Sequence, residues 1–328
     1  MESVVLNTLD RQLIHALRLD GRASFSRIAD VIGTSDRTVA RRYQRLREAG
    51  ALRVVGLPDA GRTGLVEWFV RLECAPEAAL PVAKALAERA DTFWVGLSSG
   101  GTEITCVTQA RQGSLSGSLL LPKLPKTSRL TSVKAQCRLR IVAGESGWRG
   151  SMSALDPRQT AALTRAVDTS RALRLTERDE RLLRVLAQDG RAAVPQLAAA
   201  TGWSESSVRR RMEELRYAGV LRFDVEIDPA LYDRPLETML WLTVAPAALN
   251  RVAESLAEHP EVAYAAVTTG QSNVVAVVLC REPDDLYDYL ATRVGDLPGV
   301  LGAETTPVTR HIKRLGTVLA PSPARLRP

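Results

Sequence analysis

The chain contains two copies of one long pattern, and that repeat limits its possible folds more than any other feature. The stretch from Leu9 to Arg53 returns without a gap from Arg178 to Arg222. Asp20-Gly21-Arg22-Ala23 comes back as Asp189-Gly190-Arg191-Ala192, Ile28-Ala29 as Leu197-Ala198, Gly33 as Gly202 and Ser35 as Ser204. The run Val39-Ala40-Arg41-Arg42 is matched by Val208-Arg209-Arg210-Arg211, and Gly50 with Leu52-Arg53 by Gly219 with Leu221-Arg222. The period of roughly 170 residues is far longer than a solenoid repeat, so the sequence reads as a tandem duplication of a whole protein.

Each copy begins with three short helices. Leu9, Leu13, Ala16 and Leu17 form one apolar stripe at helical spacing. Ser24 or Ser26 caps a second helix that turns Ile28, Ala29 and Ile32 inward, and Gly33 supplies a turn in which a positive φ costs little. Ser35 caps a third helix with Val39, Tyr43 and Leu46 on its buried side. At about 100° per residue, Arg37, Arg41, Gln44 and Arg45 then point away, while Arg42 lies nearer the buried side. The second copy repeats this with Leu182, Val185, Leu186, Leu197, Val208, Met212 and Leu215. This is a helix-turn-helix whose third helix is rich in arginine, the arrangement that lays a basic helix in a DNA major groove. A short strand follows in each copy, at 53–57 and 221–227, in the place of a wing.

Beyond Gly64 the period changes from helical to alternating. Strands are predicted at 66–73, 93–97, 104–108 and 133–142, with helices at 78–89 and 114–124. The second half repeats the order with strands at 238–244, 262–268, 274–279 and 303–309 and helices at 248–259 and 284–294. Both read β-α-β-β-α-β, a ferredoxin-like split unit. The predicted class is α+β: two winged helix-turn-helix domains, 1–58 and 175–228, alternate with two ferredoxin-like sandwiches, 64–143 and 235–318. Residues 144–174 are a linker with a short helix at 157–167, and 319–328 form a disordered tail.

Composition narrows the partners. A net charge of +7 and a pI near 9.5 favour a polyanion. Aromatic residues make up only 5%, too few for obvious base-stacking platforms on single strands. No apolar run reaches the ~20 residues of a membrane span, and no signal peptide is visible. Cys74, Cys106, Cys137 and Cys280 lie apart in strand-like runs, which fits buried reduced thiols in a cytoplasm. His15, His259 and His311 have no metal-ligand spacing, and no nucleophile triad or phosphate-cradling glycine loop appears. The sequence therefore implies neither a cofactor, a metal nor catalysis.

On the motif Asp10-x-x-Leu13-x-x-x-Leu17-x-x-Asp20-Gly21-Arg22, with Ile28-Ala29, Gly33, Ser35, Val39-x-Arg41-Arg42, Leu46 and Gly50-x-Leu52, each half resembles a member of the Lrp/AsnC family of regulators. The resemblance covers nearly the whole chain. It implies double-stranded DNA and an amino acid or related metabolite as partners, with the sandwiches paired. Here both partners lie in one polypeptide, so an internal pseudo-dimer is expected, and further association between chains stays open. The expected DNA-binding residues are Ser35, Arg37, Thr38, Arg41, Arg42 and Arg45 in the first half, and Ser204, Ser206, Ser207, Arg209, Arg210 and Arg211 in the second. In the family a Gly-x-x-Asp turn lies near the effector. Its matches are Gly100 to Glu103 and Gly270 to Asn273, neither of which keeps the Asp. Ser98, Ser99, Gly100, Glu103, Thr268, Thr269, Gly270 and Asn273 are the expected effector residues. Two alternatives have different chemistry: a nucleoid-type architectural DNA-binding protein using the same basic helices, and an enzyme like the siroheme decarboxylases, which share this architecture and rely on sandwich histidines.

Overall fold

The computed structural model describes residues 5–111, 130–144, 147–170 and 173–319. The predicted helix at 114–124 lies outside them, as does the tail beyond Leu319, whose N–H still bonds to the Ile312 carbonyl.

The three helices of the first copy are α1 (Thr8–Leu19), α2 (Phe25–Ile32) and α3 (Asp36–Glu48). Asn7 caps α1 in a reciprocal box with Asp10. The Ser24 and Ser35 hydroxyls accept from the Arg27 and Thr38 amides, satisfying N–H groups that a helix start leaves free. Gly33 ends α2 at φ 70°. Leu13, Ile14, Leu17, Ile28, Val39, Tyr43 and Leu46 close the core, so the apolar stripe is the buried face. The second copy uses Glu177–Gln188, Val194–Thr201 and Glu205–Tyr217 in the same way, with Ser204 capping the last.

The strand placed as a wing has a partner from the other half. Strand β1 (Leu52–Pro58) pairs antiparallel with β6 (Leu221–Ile227), from Leu52 opposite Ile227 to Pro58 opposite Leu221. Helix α1 packs against β6, and Glu177–Gln188 packs against β1. The ribbon thus serves both helical cores: Val225 and Ile227 of β6 lie with the first set of helices beside Leu52 and Val54 of β1, and Leu221 with the second. Pairing across the halves satisfies ladder groups that an isolated strand would leave free.

The two sandwiches form one closed structure. In the first, β5 (Leu130–Ala143), β2 (Leu65–Cys74), β4 (Glu103–Arg111) and β3 (Thr92–Ser98) lie in that order, with α4 (Pro76–Glu88) on the outside. In the second, β10 (Val300–Arg314), β7 (Leu236–Val244), β9 (Val274–Cys280) and β8 (Val262–Thr268) repeat the order, with Leu249–Glu258 outside. The last strand of each is long and serves both halves. β5 pairs with β2 and then, from Arg138 to Ala143, with β8. β10 pairs with β7 and then, from Val308 to Lys313, with β3. The eight strands therefore close into a barrel, and the outer edges of both four-stranded sheets are covered. Phe69, Met239, Trp241, Ala266 and Val275 fill the interior.

Three expectations about extent change. β10 was expected at 303–309 and spans Val300–Arg314, so His311 lies within the strand, where the crossing to β3 continues. The 284–294 helix is split into Pro283–Asp288 and a π-turn over Tyr289–Val294. The 144–174 stretch is not a free tether. Its helix, Pro157–Leu163, buries Leu163 in the first helical core along with Leu155, and Trp148 donates its indole N–H to the Pro260 carbonyl at 2.8 Å. No disulfide joins the four cysteines.

Candidate nucleic-acid interface and effector sites

On α3, Ser35, Arg37, Arg41 and Arg45 are exposed and Thr38 is partly so. Arg37 and Arg41 make no side-chain hydrogen bond or ion pair among the described residues. Arg42 and Arg45 do not reach outward freely. Both converge on the buried Asp10 of α1, Arg42 at 3.0 Å and Arg45 at 2.6 Å. Helix geometry does place Arg45 outward, but its long side chain folds back because Asp10 is fully buried and needs countercharge. Ser35 and Thr38 share a hydroxyl hydrogen bond of 2.9 Å as part of the cap.

The second recognition helix is more neutralised. Arg209 has Glu205 at 3.4 Å and Arg210 has Glu214 at 3.8 Å, both across exposed i,i+4 steps. Arg211 binds the buried Asp179 at 2.8 and 3.0 Å and Glu214 at 3.1 Å. Burial pushes the Asp179 carboxyl up, but the hydrogen bonds from Arg211 and Thr176 and the guanidinium charge outweigh it, so its pKa is lowered. Ser204 and Ser206 are exposed, and Ser207 partly so, with the Ser204 hydroxyl 3.0 Å from Ser206 and 2.9 Å from Ser207.

In the sequence Asp-Gly-Arg reads only as the end of the first helix and as part of the repeated motif. The structure makes it the lock between the readers. Arg22 donates to the Gly190 and Ala192 carbonyls at 2.7 and 3.1 Å, and Arg191 donates to those of Gly21 and Ala23 at 2.8 and 3.1 Å. Arg47 of α3 reaches Asp189 at 2.9 Å, and Arg216 reaches Asp20 at 2.5 Å. A Cβ on Gly21 would lie 2.7 Å from the Phe223 Cβ, and one on Gly190 would lie 2.9 Å from the Val55 backbone, so glycine is what lets the halves approach. The two recognition helices are thereby tied to one another across the halves. The available signal was the repeat itself, which carries Arg22 and Arg191 at matching positions.

The turns expected near an effector are internally engaged. Asn273 bonds both the N–H and the carbonyl of Val244 at 2.8 Å, clipping the end of β7. Thr268 donates to the Ser272 carbonyl, and Thr269 accepts from the Cys137 N–H at 2.9 Å. Glu103 is buried against Arg71, and Ser98 donates to the Glu103 carbonyl at 3.4 Å. Ser99 and Gly100 both adopt positive φ, 50° and 67°, in an exposed turn, and Gly270 has φ 101°. The two turns lie on separate hairpins, one in each half.

The histidines have structural partners. His15 accepts from the Leu155 N–H at 3.1 Å, His259 meets the Tyr289 hydroxyl at 3.1 Å, and His311 bonds Glu237 at 3.0 Å. Among the described residues no group of three His, Cys, Asp or Glu could hold a metal ion, and no helix is long and apolar enough to cross a membrane.

Comparison with known proteins follows the same division. Residues 6–47 and 175–216 each match the AsnC-type helix-turn-helix domain, and residues 237–318 match the Lrp/AsnC ligand binding domain. The HTH-type transcriptional regulator FL11 of Pyrococcus horikoshii is 29% identical over 140 residues, 42% of this chain and 92% of that protein. The HTH-type transcriptional regulator LrpA of the same organism is 30% identical over 127 residues, 38% of this chain and 90% of that protein. Each relative thus corresponds to less than half of this chain. A solved structure of the siroheme decarboxylase NirDL aligns over 94% of this chain and 93% of its own, with a TM-score of 0.64 and 13% identity, a likeness of fold.

Proposed function

The chain belongs to the Lrp/AsnC family of transcriptional regulators, and from that premise we propose that it binds double-stranded DNA sequence-specifically, as its own dimer, under control of a small metabolite. The observation that carries this reading is the reciprocal lock. Arg22 and Arg191 tie together two helix-turn-helix units whose recognition helices keep Arg37, Arg41, Arg209 and Arg210 on the surface. Two readers in one particle meet half-sites one duplex turn, ~34 Å, or a multiple apart. The exposed arginines suit bidentate contacts to guanine edges and contacts to phosphates. The bound Arg42, Arg45 and Arg211 orient the helices and contribute charge near the backbone, with the serine-capped helix starts facing phosphates. Because the two faces differ, the operator is asymmetric.

The effector is an amino acid or a related metabolite. The turns at 98–103 and 268–273, to which the family resemblance points, are largely bonded internally, the Thr268 and Thr269 N–H groups included.

Selection of genomic fragments by the purified chain, with and without an amino-acid mixture, tests the reading. A recurrent site of two unlike halves, bound far more tightly than bulk DNA at fixed salt, is the expected result. A steep salt slope with no preferred sequence would replace it with architectural binding.

A further inference from the structure

Where the β1–β6 ribbon covers one mouth of the barrel there is a cavity of about 250 Å³. Its inner wall is apolar: Phe69, Met239 and Val277 project from the barrel strands beside Trp94. Its outer wall is the ribbon, with Arg18 of α1 at one side. The space therefore touches elements of both helix-turn-helix units and both sandwiches.

Its polar groups are mostly engaged. Glu67 accepts from Gln109 and pairs with Arg138, each at 2.9 Å. Glu226 takes the Arg53 guanidinium, Glu237 takes His311, and Asp224 takes Arg18 at 3.3 Å. Arg314 is different. Its nearest carboxylate oxygens, on Glu226 and Glu237, lie 3.7 and 3.8 Å away, and its guanidinium makes no hydrogen bond among the described residues. It is only 22% exposed and lines the cavity. A guanidinium carries five donors in a flat fork, and here neither neighbouring carboxylate comes within hydrogen-bond distance of them. The acceptor whose geometry the fork fits is a carboxylate.

We propose that this chamber is a ligand site for a small carboxylic acid with an apolar body, its carboxylate on Arg314 and its body against Phe69, Met239 and Val277. The volume sets the size. It lies just below the ~300 Å³ at which drug-sized pockets begin, which suits one aromatic or branched metabolite. Amino acids and 2-oxo acids share this chemistry. The site rests on the regulator reading and gives it a route: a ligand whose contacts include the ribbon has unequal affinity for different settings of the two readers, and only such inequality couples binding to DNA.

Calorimetry of the full chain with L-phenylalanine, L-leucine, phenylpyruvate and 4-methyl-2-oxopentanoate tests it, alongside DNA affinity with and without each compound. At least one compound is expected to bind and to shift DNA affinity several-fold. Arg314→Gln and Val277→Phe, the second of which fills the chamber, are each expected to weaken that binding at least tenfold while ligand-free DNA affinity stays within twofold. Should Arg314→Gln fail to fold, Val277→Phe carries the test. No binding by any of the four compounds, or binding unchanged in Val277→Phe and lost in Thr269→Ala, would overturn the proposal. Preference for amine or oxo compounds identifies the source. Loss of specific DNA binding in the ligand-free wild-type chain would instead defeat the regulator reading, and DNA binding with silent calorimetry would defeat the chamber alone.

Discussion

Arg41 and Arg210 stand at the same step of the repeat and are both exposed, but only Arg210 has a carboxylate beside it, Glu214 at 3.8 Å. Glu214 occupies the place that Arg45 holds on α3, and Glu213 replaces Gln44. The two helices share caps, core and cross-lock, so the backbone is the same device twice. What differs is the outward chemistry, and a covalent pair can diverge there because each face is encoded separately. The sandwiches diverge in a similar way. The match to the ligand binding domain covers 237–318 alone, yet the strand order of the first sandwich is the same as that of the second. Fold tolerates drift that a sequence comparison does not.

The largest expected effect concerns the lock. Arg191 bonds two carbonyls and also lies 4.5 Å over the Phe25 ring and 5.3 Å over the Tyr43 ring. Arg22 makes the matching bonds, and Val194 and Met212 stand at the repeat positions of those rings. Losing charged hydrogen bonds and cation–π contact together costs about 3 kcal/mol in Arg191→Ala, against about 2 kcal/mol in Arg22→Ala. Denaturant titration checks the order, and equal losses would break the comparison.

A loss of nearly the same size is expected in acid, in the second half of the barrel. Burial pushes the Glu237 carboxyl up, but His311 and Arg314 overcome this and bring it down to about 2 from an ordinary 4.5. A depressed carboxyl stabilises the fold above its unfolded pKa and loses that contribution as pH falls through its folded one. Stability on the order of 3 kcal/mol is therefore expected to fade between pH 4.5 and about 2. Glu237→Gln should flatten that limb of a stability–pH curve; an unchanged limb would remove Glu237 from the account.

DNA affinity comes next. Arg41→Ala is expected to cost ~1–3 kcal/mol at the preferred site, roughly 5- to 150-fold, and Arg210→Ala under about 1 kcal/mol because its charge is already partly countered. Gel-shift titration at fixed salt measures both, and a larger loss in Arg210→Ala would reverse the assignment of the stronger reader. The smallest effect sharpens the same point. Glu214→Gln should tighten binding by roughly 0.3–0.5 kcal/mol as Arg210 is released, with a slightly steeper salt slope.

The helical units were readable because their signals are local: an apolar stripe, a serine cap and a glycine at φ 70° all lie within a few turns. The ion pairs of Arg42 and Arg45 with Asp10 were not, since their partner sits on another helix 32 and 35 residues away. The β1–β6 pairing and the shared strands β5 and β10 were hidden for the same reason. Alternation shows that a residue run is a strand, but not which edge it meets. His311 was placed beyond its strand because apolar alternation stops near Thr309, while backbone pairing with β3 continues to Lys313. The gap around Arg314 depends on two carboxylates from different elements and has no trace in spacing.

The packed segment from Gly147 to Leu163 has a further consequence. Ordinary dimers come apart when scarce, because pairing two molecules depends on their concentration. Here one half is tied to the other through a span already fastened to the first helical core, so their meeting is intramolecular and its effective concentration is on the order of millimolar. A cell holding only a few copies would keep every one assembled, and dilution would thin the particles without splitting them.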